Sequence, residues 1–217
     1  MTDVIRNWER KQEGSIFKSI KNKVRKEHPL RERISQTIFK LKVQNEKLEQ
    51  SISRMQNNYD RLFSKCTEAV ASKNQMQATI YANECAEIKK IGSTILRSQF
   101  AIEQVILRLE TVEEFGDITY EMGPVTSVIA SLKSQLSGVV PETSYKLGKI
   151  GDSLNDLVIG VGVSTGASWS VEASGEASKI LEEAAAVAEQ KMKQRFPRLP
   201  EVTAHHIKEG SESKIQR

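Results

Sequence analysis

Two long stretches of helical apolar periodicity, joined by a very short polar segment, constrain the fold of this chain more than any other feature. Apolar residues recur every three or four positions over residues 34–66, with Asn45 filling the one gap, and again over residues 78–109. Such spacing, sustained over several heptads, is typical of long helices with a coiled-coil-like seam. Because only residues 71–74 separate the two stretches, the sequence predicts an antiparallel helical hairpin over residues 34–112.

The second helix of this hairpin has apolar residues on two faces. Ile80, Ile91, Phe100 and Val105 fall off the seam that faces the first helix. A single partner helix covers only one face, so another helix of the chain or a neighbouring subunit must cover the other. We predict these four residues as a polymer interface, and cover by a helix of the same chain is the alternative.

The cysteines predict buried free thiols. A turn near residue 72 would place Cys66 opposite residue 78, so that Cys85 lies about 10 Å further along the hairpin axis. This separation exceeds the roughly 7 Å between Cα atoms that a disulfide spans. The absence of a cysteine framework, of a signal peptide and of a long apolar run predicts a cytoplasmic protein.

Charge divides the chain into a basic front and an acidic rear. Residues 1–111 hold 21 Lys and Arg against 13 Asp and Glu, whereas residues 112–194 hold 6 against 12. Residues 1–33 combine cations with apolar side chains at helical spacing, which favours a basic amphipathic helix at an anionic membrane surface. A frayed or core-docked N-terminus with a solvated charge run is the alternative. The predicted membrane-binding residues are Val4, Trp8, Phe17, Lys18, Ile20, Lys21 and Lys23.

The acidic half predicts two short helices and a linker. Within residues 113–158, one helix is expected to begin at Gly123-Pro124 and another near Pro141, and both are candidates to cover the second face of the hairpin. Residues 159–175 are rich in Gly and Ser and predict a flexible linker with a possible short strand at 158–164. Residues 176–217 then predict a last helix followed by a flexible tail.

No constellation in the sequence predicts catalysis. The histidines have no metal-ligand spacing to partner residues, and no Ser, Cys or Lys sits in a nucleophile motif. The sequence therefore predicts a protein that is not an enzyme, with no cofactor, no metal and no small-molecule substrate. A cytoplasmic coiled-coil scaffold or a nucleic-acid-associated protein remains an alternative, since basic helices bind phosphates without sequence-specific chemistry.

A proline-containing segment follows the last predicted helix. Prolines bias it towards extended or polyproline II conformation, which exposes apolar side chains to a groove between partner helices. A helix stop followed by disorder is the alternative. The candidate partner-binding residues are Phe196, Pro197, Leu199, Pro200 and Val202.

Taken in order, these segments resemble the ESCRT-III family: a basic N-terminal segment, a long helical hairpin, two short helices, a linker, a last helix and a proline-containing peptide. The run Tyr-Ala-Asn-Glu-Cys-Ala-Glu-Ile-Lys-Lys-Ile at residues 81–91 resembles the second hairpin helix of the archaeal cell-division branch, the CdvB paralogues. No room remains after Val202 for the C-terminal winged-helix-like domain of the main CdvB protein, so the resemblance is to a short paralogue. Bacterial phage-shock proteins share the hairpin and are the alternative within the superfamily.

The resemblance implies an all-α protein that polymerises into filaments on anionic membrane, with itself and with other ESCRT-III-like paralogues. It implies constriction and scission at the inner face of the cell membrane at the division site. It also implies remodelling by an AAA ATPase whose MIT domain captures the C-terminal peptide. Residues 199–202 match the proline-type MIT-interacting motif, whereas Thr203 stands where a further proline is often found.

Overall fold

The structure, a computed structural model, describes residues 30–115, 118–165 and 172–199, and these residues form five α-helices. The predicted all-α class is confirmed for this part of the chain, which contains no strand. The helices are α1 (Leu30–Ala71), α2 (Gln75–Phe115), α3 (Ile118–Leu136), α4 (Pro141–Thr165) and α5 (Glu172–Arg195).

Helices α1 and α2 form the predicted antiparallel hairpin. They contain 42 and 41 residues, so each extends for about 60 Å at 1.5 Å per residue. Apolar side chains at spacings of three and four meet along the seam, which removes them from water. The fully or nearly fully buried seam residues are Ile34, Ile38, Leu41, Leu48, Ile52, Tyr59 and Cys66 of α1, and Ala78, Cys85, Ile95, Ile102, Ile106 and Leu109 of α2.

The turn of the hairpin uses three residues to end one helix and start the next. Lys73 adopts a left-handed backbone with φ of 60°, and the Asn74 and Lys73 amides donate to the carbonyls of Ala69 and Val70. This pattern is a Schellman cap. The Asn74 side-chain oxygen in turn accepts a hydrogen bond from the Gln77 amide at 3.3 Å, and so caps α2.

Asn74→Ala is expected to lower the free energy of unfolding by about 1 kcal/mol, because the first turn of α2 loses its side-chain acceptor. Chemical denaturation of the two proteins measures this difference. Gln77→Ala is the neighbouring control and should have a smaller effect, because the exposed Gln77 contributes only its backbone amide to the cap. Equal stability of parent and Asn74→Ala would show that the cap contributes nothing.

The three shorter helices pack on one side of the hairpin. Helix α5 lies along α2 and α3, α3 lies on α2, and α4 packs on α3 and reaches α1. Apart from its end near Ile80, the second face of α2 is therefore covered by α3 and α5, whereas α4, the other predicted candidate, contacts the hairpin at α1. The buried stripe of α5 contains mostly small residues, which allow close helix approach: Ala177, Ile180, Ala184, Ala188 and Met192.

One predicted helix start in the acidic half is wrong. Helix α3 begins at Ile118, six residues before Pro124, because its apolar face starts with the buried Met122 and continues through Val125. The hydroxyls of Thr126 and Ser127 donate to the carbonyl of residue 123 beside the proline. Helix α4 begins at Pro141 as predicted.

The predicted linker over residues 159–175 is too wide, and no strand forms at 158–164. Helix α4 continues to Thr165, and α5 already begins at Glu172. The apolar face of α4, with Leu154 and Leu157 buried and Val158 packed against the core, carries the helix into the glycine-containing stretch. A glycine costs only about 1 kcal/mol in a helix, which is too little to end one that tertiary packing supports.

The cysteine prediction is confirmed. Both thiols are free and buried, and the Cys66 sulfur lies 3.5 Å from the carbonyl oxygen of Ala78, the residue expected opposite it. Burial raises the pKa of Cys66 and of Cys85, which makes both thiols poor nucleophiles. Within the described ranges, no helix is both long and apolar enough to cross a membrane.

Candidate assembly surfaces and C-terminal docking site

The predicted site residues fall into three groups in the structure. The seven N-terminal membrane-binding candidates, together with Pro200 and Val202, lie outside the described residues. Phe196 and the carbonyl group of Pro197 contact the protein's own hairpin, and Leu199 packs against the core. The four predicted polymer-interface residues all lie on α2, but in different surroundings.

Phe196 fills a notch in the hairpin. The side chain is 1% exposed and lies over Gly92 of α2, where an added Cβ would stand 3.2 Å from Phe196 Cζ and 3.3 Å from Ile52 Cδ1. Glycine at this position therefore makes the room that the ring occupies. Leu199 is partly buried and packs against the same core. The first half of the predicted MIT-binding segment is thus docked within the chain.

Tyr59 of α1 holds this segment from the other side. Its ring meets the ring of Phe196 edge to face, with centroids 5.2 Å apart and planes at 86°, a preferred geometry for aromatic pairs. Its hydroxyl donates to the carbonyl oxygen of Pro197 at 2.5 Å. Burial is the main cause that raises the pKa of Tyr59 to about 12, so the phenol stays protonated and able to donate.

A polar network fixes the end of α5 beside this notch. The Arg195 guanidinium donates to Glu49 Oε1 at 2.8 Å, and Gln99 Nε2 donates to Glu49 Oε2 at 3.0 Å. Burial opposes ionisation of Glu49, but the hydrogen bonds from Arg195 and Gln99 and the charge of Arg195 outweigh it and lower the pKa of this carboxyl. Glu49 therefore ties α1, α2 and α5 together as a carboxylate.

The opposite end of α5 has its own ion pair with the hairpin. Arg108 Nη1 of α2 lies 3.0 Å from Glu176 Oε2 of α5, and both side chains are mostly buried. Partly buried charge pairs are screened less by salt than exposed ones. The last helix is thus tied to the hairpin near both of its ends.

Acidification is expected to weaken the Arg195–Glu49 contact. Because the folded pKa of Glu49 is lowered below its ordinary value of 4.5, its stabilisation is present above that value and is lost as pH falls through the folded pKa. As pH falls below about 4.5, the parent should thus lose stability more steeply than Glu49→Gln. Denaturation at several pH values measures this slope. Glu46→Gln, at an exposed position nearby, is the control and should show the same dependence of stability on pH as the parent. The same dependence in Glu49→Gln would show that the contact contributes nothing.

The four predicted polymer-interface residues do not form one exposed face. Val105 is fully buried, and Ile91 and Phe100 are partly buried against the core. Ile80, near the hairpin turn, is 53% exposed. In this conformation only Ile80 is freely available to another molecule.

A basic cleft lies between α1 and α4. It encloses about 480 Å³, and Phe39 stands at its edge with 68% of its surface exposed. Lys47 is paired with Glu142 of α4, and Lys149 lies over the Tyr145 ring, 4.9 Å from its centroid. We call this surface the basic cleft; its lining residues are Phe39, Lys40, Val43, Gln44, Lys47, Lys146, Lys149, Ile150 and Ser153.

An apolar and acidic surface lies at the opposite end of α1, around the hairpin turn. Met76 is 78% exposed, and it stands next to Ile80 on α2. Glu84 and Glu87 follow on the same helix and are exposed. We call Met76, Ile80, Glu84 and Glu87 the tip surface.

Sequence reasoning missed the basic cleft and the Glu49 network. Phe39 and Val43 are four residues apart and fall off the seam of α1, with lysines beside them, and this pattern could have indicated the cleft. The partners of Glu49 are 50 and 146 residues away along the chain, and no local signal connects them.

An all-helical subunit in which a long antiparallel hairpin supports shorter helices on one side is the architecture of ESCRT-III-type proteins. Comparison with known proteins agrees with this class. The chain is 45% identical over 194 residues to Cell division protein B1 of Sulfolobus acidocaldarius, and the alignment covers 89% of this chain and 87% of that protein. It is 33% identical over 186 residues to Cell division protein B of the same organism, and this alignment covers 85% of this chain and 70% of that protein.

The chain therefore belongs to the archaeal cell division protein B family of ESCRT-III-type proteins. No family model matches the sequence, and no solved structure matches it significantly.

Proposed function

We propose that this chain acts in archaeal cell division as a subunit that polymerises on the membrane and drives its constriction and scission. The observation that carries this proposal is the similarity to Cell division protein B1 along 89% of the chain, together with the hairpin that this similarity spans. The division site at the inner face of the cell membrane is the proposed location, and anionic lipid and other subunits of this type are the proposed partners.

The packing of α5 supports a switch between a closed subunit, in which α5 and Phe196 lie on the hairpin, and an assembling subunit, in which they have left it. Helix α5 and Phe196 occupy the second face of α2 and the Gly92 notch, which a neighbouring hairpin would otherwise reach. Their contacts include two ion pairs and a ring in a notch, a set that can be released without unfolding the α1–α2 seam. Assembly then proceeds by exchange of these internal contacts for contacts between subunits.

The docked segment also supports regulated capture by a MIT domain of an AAA ATPase. Phe196 and Leu199 belong to the predicted MIT-binding segment. In the closed subunit, Phe196 fills the hairpin notch and Leu199 packs against the core. A MIT groove would therefore receive them only after they leave the hairpin. Leu199→Asp or Val202→Asp should abolish MIT binding, because an apolar groove does not accommodate a carboxylate.

Membrane binding is tested with the N-terminal residues. Trp8→Ser with Phe17→Ser is expected to lower co-sedimentation with anionic vesicles at least about tenfold, because two aromatic anchors are lost from the lipid interface. Self-assembly in solution should change much less. Trp169→Ser, which removes a tryptophan elsewhere in the chain, is the matched control.

Two results would contradict the proposal at different points. Vesicle binding of the double variant equal to that of the parent would exclude these residues as the anchor. A parent protein that neither binds anionic vesicles nor self-associates at low salt would contradict polymerisation on membrane altogether. It would favour the alternative of a soluble coiled-coil scaffold.

A further inference from the structure

We propose that the tip surface of one copy of this chain docks into the basic cleft of a second copy, head to tail. This inference rests on the proposed function, because it specifies a contact by which the subunits polymerise. It names two surfaces that the closed subunit leaves exposed and that differ in charge.

The tip surface is one continuous helical stripe. Met76, Ile80, Glu84 and Glu87 are spaced by four, four and three residues, which places them on one face of α2. The apolar pair lies next to the turn, and the acidic pair lies further along α2, away from the turn. Neither glutamate forms an ion pair with another residue that the structure describes. Such a stripe has the pattern of a helix that lays one face into a groove.

The basic cleft has the complementary pattern. Phe39 and Val43, four residues apart on α1, provide an exposed apolar edge. Lys40 and Lys146 stand on the two helices that line the groove, and neither is in an ion pair with any described residue. Docking would cover the exposed apolar side chains of both surfaces and bring two unpaired carboxylates to two unpaired ammonium groups. Opposite charges of this kind fix the register of an interface and suppress wrong partners.

A tip surface that fills the cleft must belong to a different molecule. Phe39 and Val70, which mark the cleft end and the turn end of α1, are 31 residues apart on one continuous helix, or about 46 Å. A rigid helix of this length keeps the tip surface away from the cleft of its own chain. Because the two surfaces are different and lie at opposite ends, each docked pair leaves one free tip and one free cleft, which generates an open chain.

Charge reversal on either surface tests the contact in the full chain. The cleft variant is Lys40→Glu with Lys146→Glu, and the tip variant is Glu84→Lys with Glu87→Lys. Each alone should raise the critical concentration for assembly at least about tenfold, because like charges then face each other. An equimolar mixture of the two variants should assemble again, because each reversed tip meets a reversed cleft and each native tip meets a native cleft.

Several controls keep the result unambiguous. Arg54→Glu with Lys191→Glu changes the net charge as the cleft variant does, at exposed positions outside both surfaces, and should assemble like the parent. Helix content and melting temperature show that each variant is folded. If a double variant does not fold, Lys146→Glu and Glu84→Lys are used singly and mixed in the same way.

The outcomes separate this inference from the proposed function. Variants that assemble like the parent, or a mixture that stays unassembled, would overturn the tip-to-cleft contact while polymerisation stands. A cleft variant that loses binding to anionic vesicles but assembles normally in solution would also overturn it, and would assign the cleft to lipid. A parent that does not assemble under any of these conditions would contradict the proposed function and this contact with it.

Discussion

Phe196→Ala is expected to lower the free energy of unfolding by about 3 kcal/mol, the usual cost when a buried phenylalanine is truncated. The ring is almost completely buried between Gly92 and Tyr59, and alanine would leave that notch empty. Chemical denaturation measures the loss. Hydrogen exchange should also show faster exchange of the amides at the C-terminal end of α5, because the apolar anchor that follows the helix is lost.

The adjacent residue provides the control for this prediction. Pro197 is exposed and contributes its carbonyl oxygen, which any residue would supply. Pro197→Ala should therefore change stability by no more than about 0.5 kcal/mol. Gly92→Leu fills the notch from the other side and should resemble Phe196→Ala. Near-parent stability of both Phe196→Ala and Gly92→Leu would contradict the docking of this segment.

Val105→Asp is expected to destabilise the protein by at least about 4 kcal/mol, because it places a carboxylate at a fully buried position. Ile80→Asp, on the same helix but 53% exposed, should change stability by no more than about 0.5 kcal/mol. Thermal or chemical unfolding of the two variants measures the contrast. The sequence predicts both residues as polymer interface, but in the closed subunit Val105 is buried and Ile80 is exposed.

Assembly assays complete that comparison. Ile80→Asp should remain folded and assemble poorly if the tip surface contacts a neighbouring subunit. A Val105→Asp protein as stable as the parent would show that α3 and α5 do not cover the second face of α2 in solution.

The hairpin could be predicted from sequence because its signal is local and repeated. Apolar spacing over residues 34–66 and 78–109 defines each helix, and the short connector leaves only an antiparallel arrangement. The same logic placed Cys66 opposite residue 78. The start of α3 was missed because Pro124 resembles a first helical position, whereas the buried Met122, three residues before Val125, extends the apolar face upstream.

The position of α5 could not be predicted in the same way. Its buried stripe consists mainly of alanines, which are equally suited to an exposed helix, and the glycine-rich stretch before it resembles a linker. The docking of Phe196 depends on Gly92, 104 residues earlier, and on Tyr59, and no sequence spacing relates these three. Phe196 is buried inside its own chain, an arrangement that neither the predicted partner groove nor the alternative of a helix stop followed by disorder includes.

Electron microscopy of the full chain at low salt, with and without anionic vesicles, tests the central claim most directly. The account predicts filaments or rings, and their growth on vesicle surfaces with deformation of the bilayer. Dispersed single particles in both samples, at concentrations where the protein is folded, would contradict it.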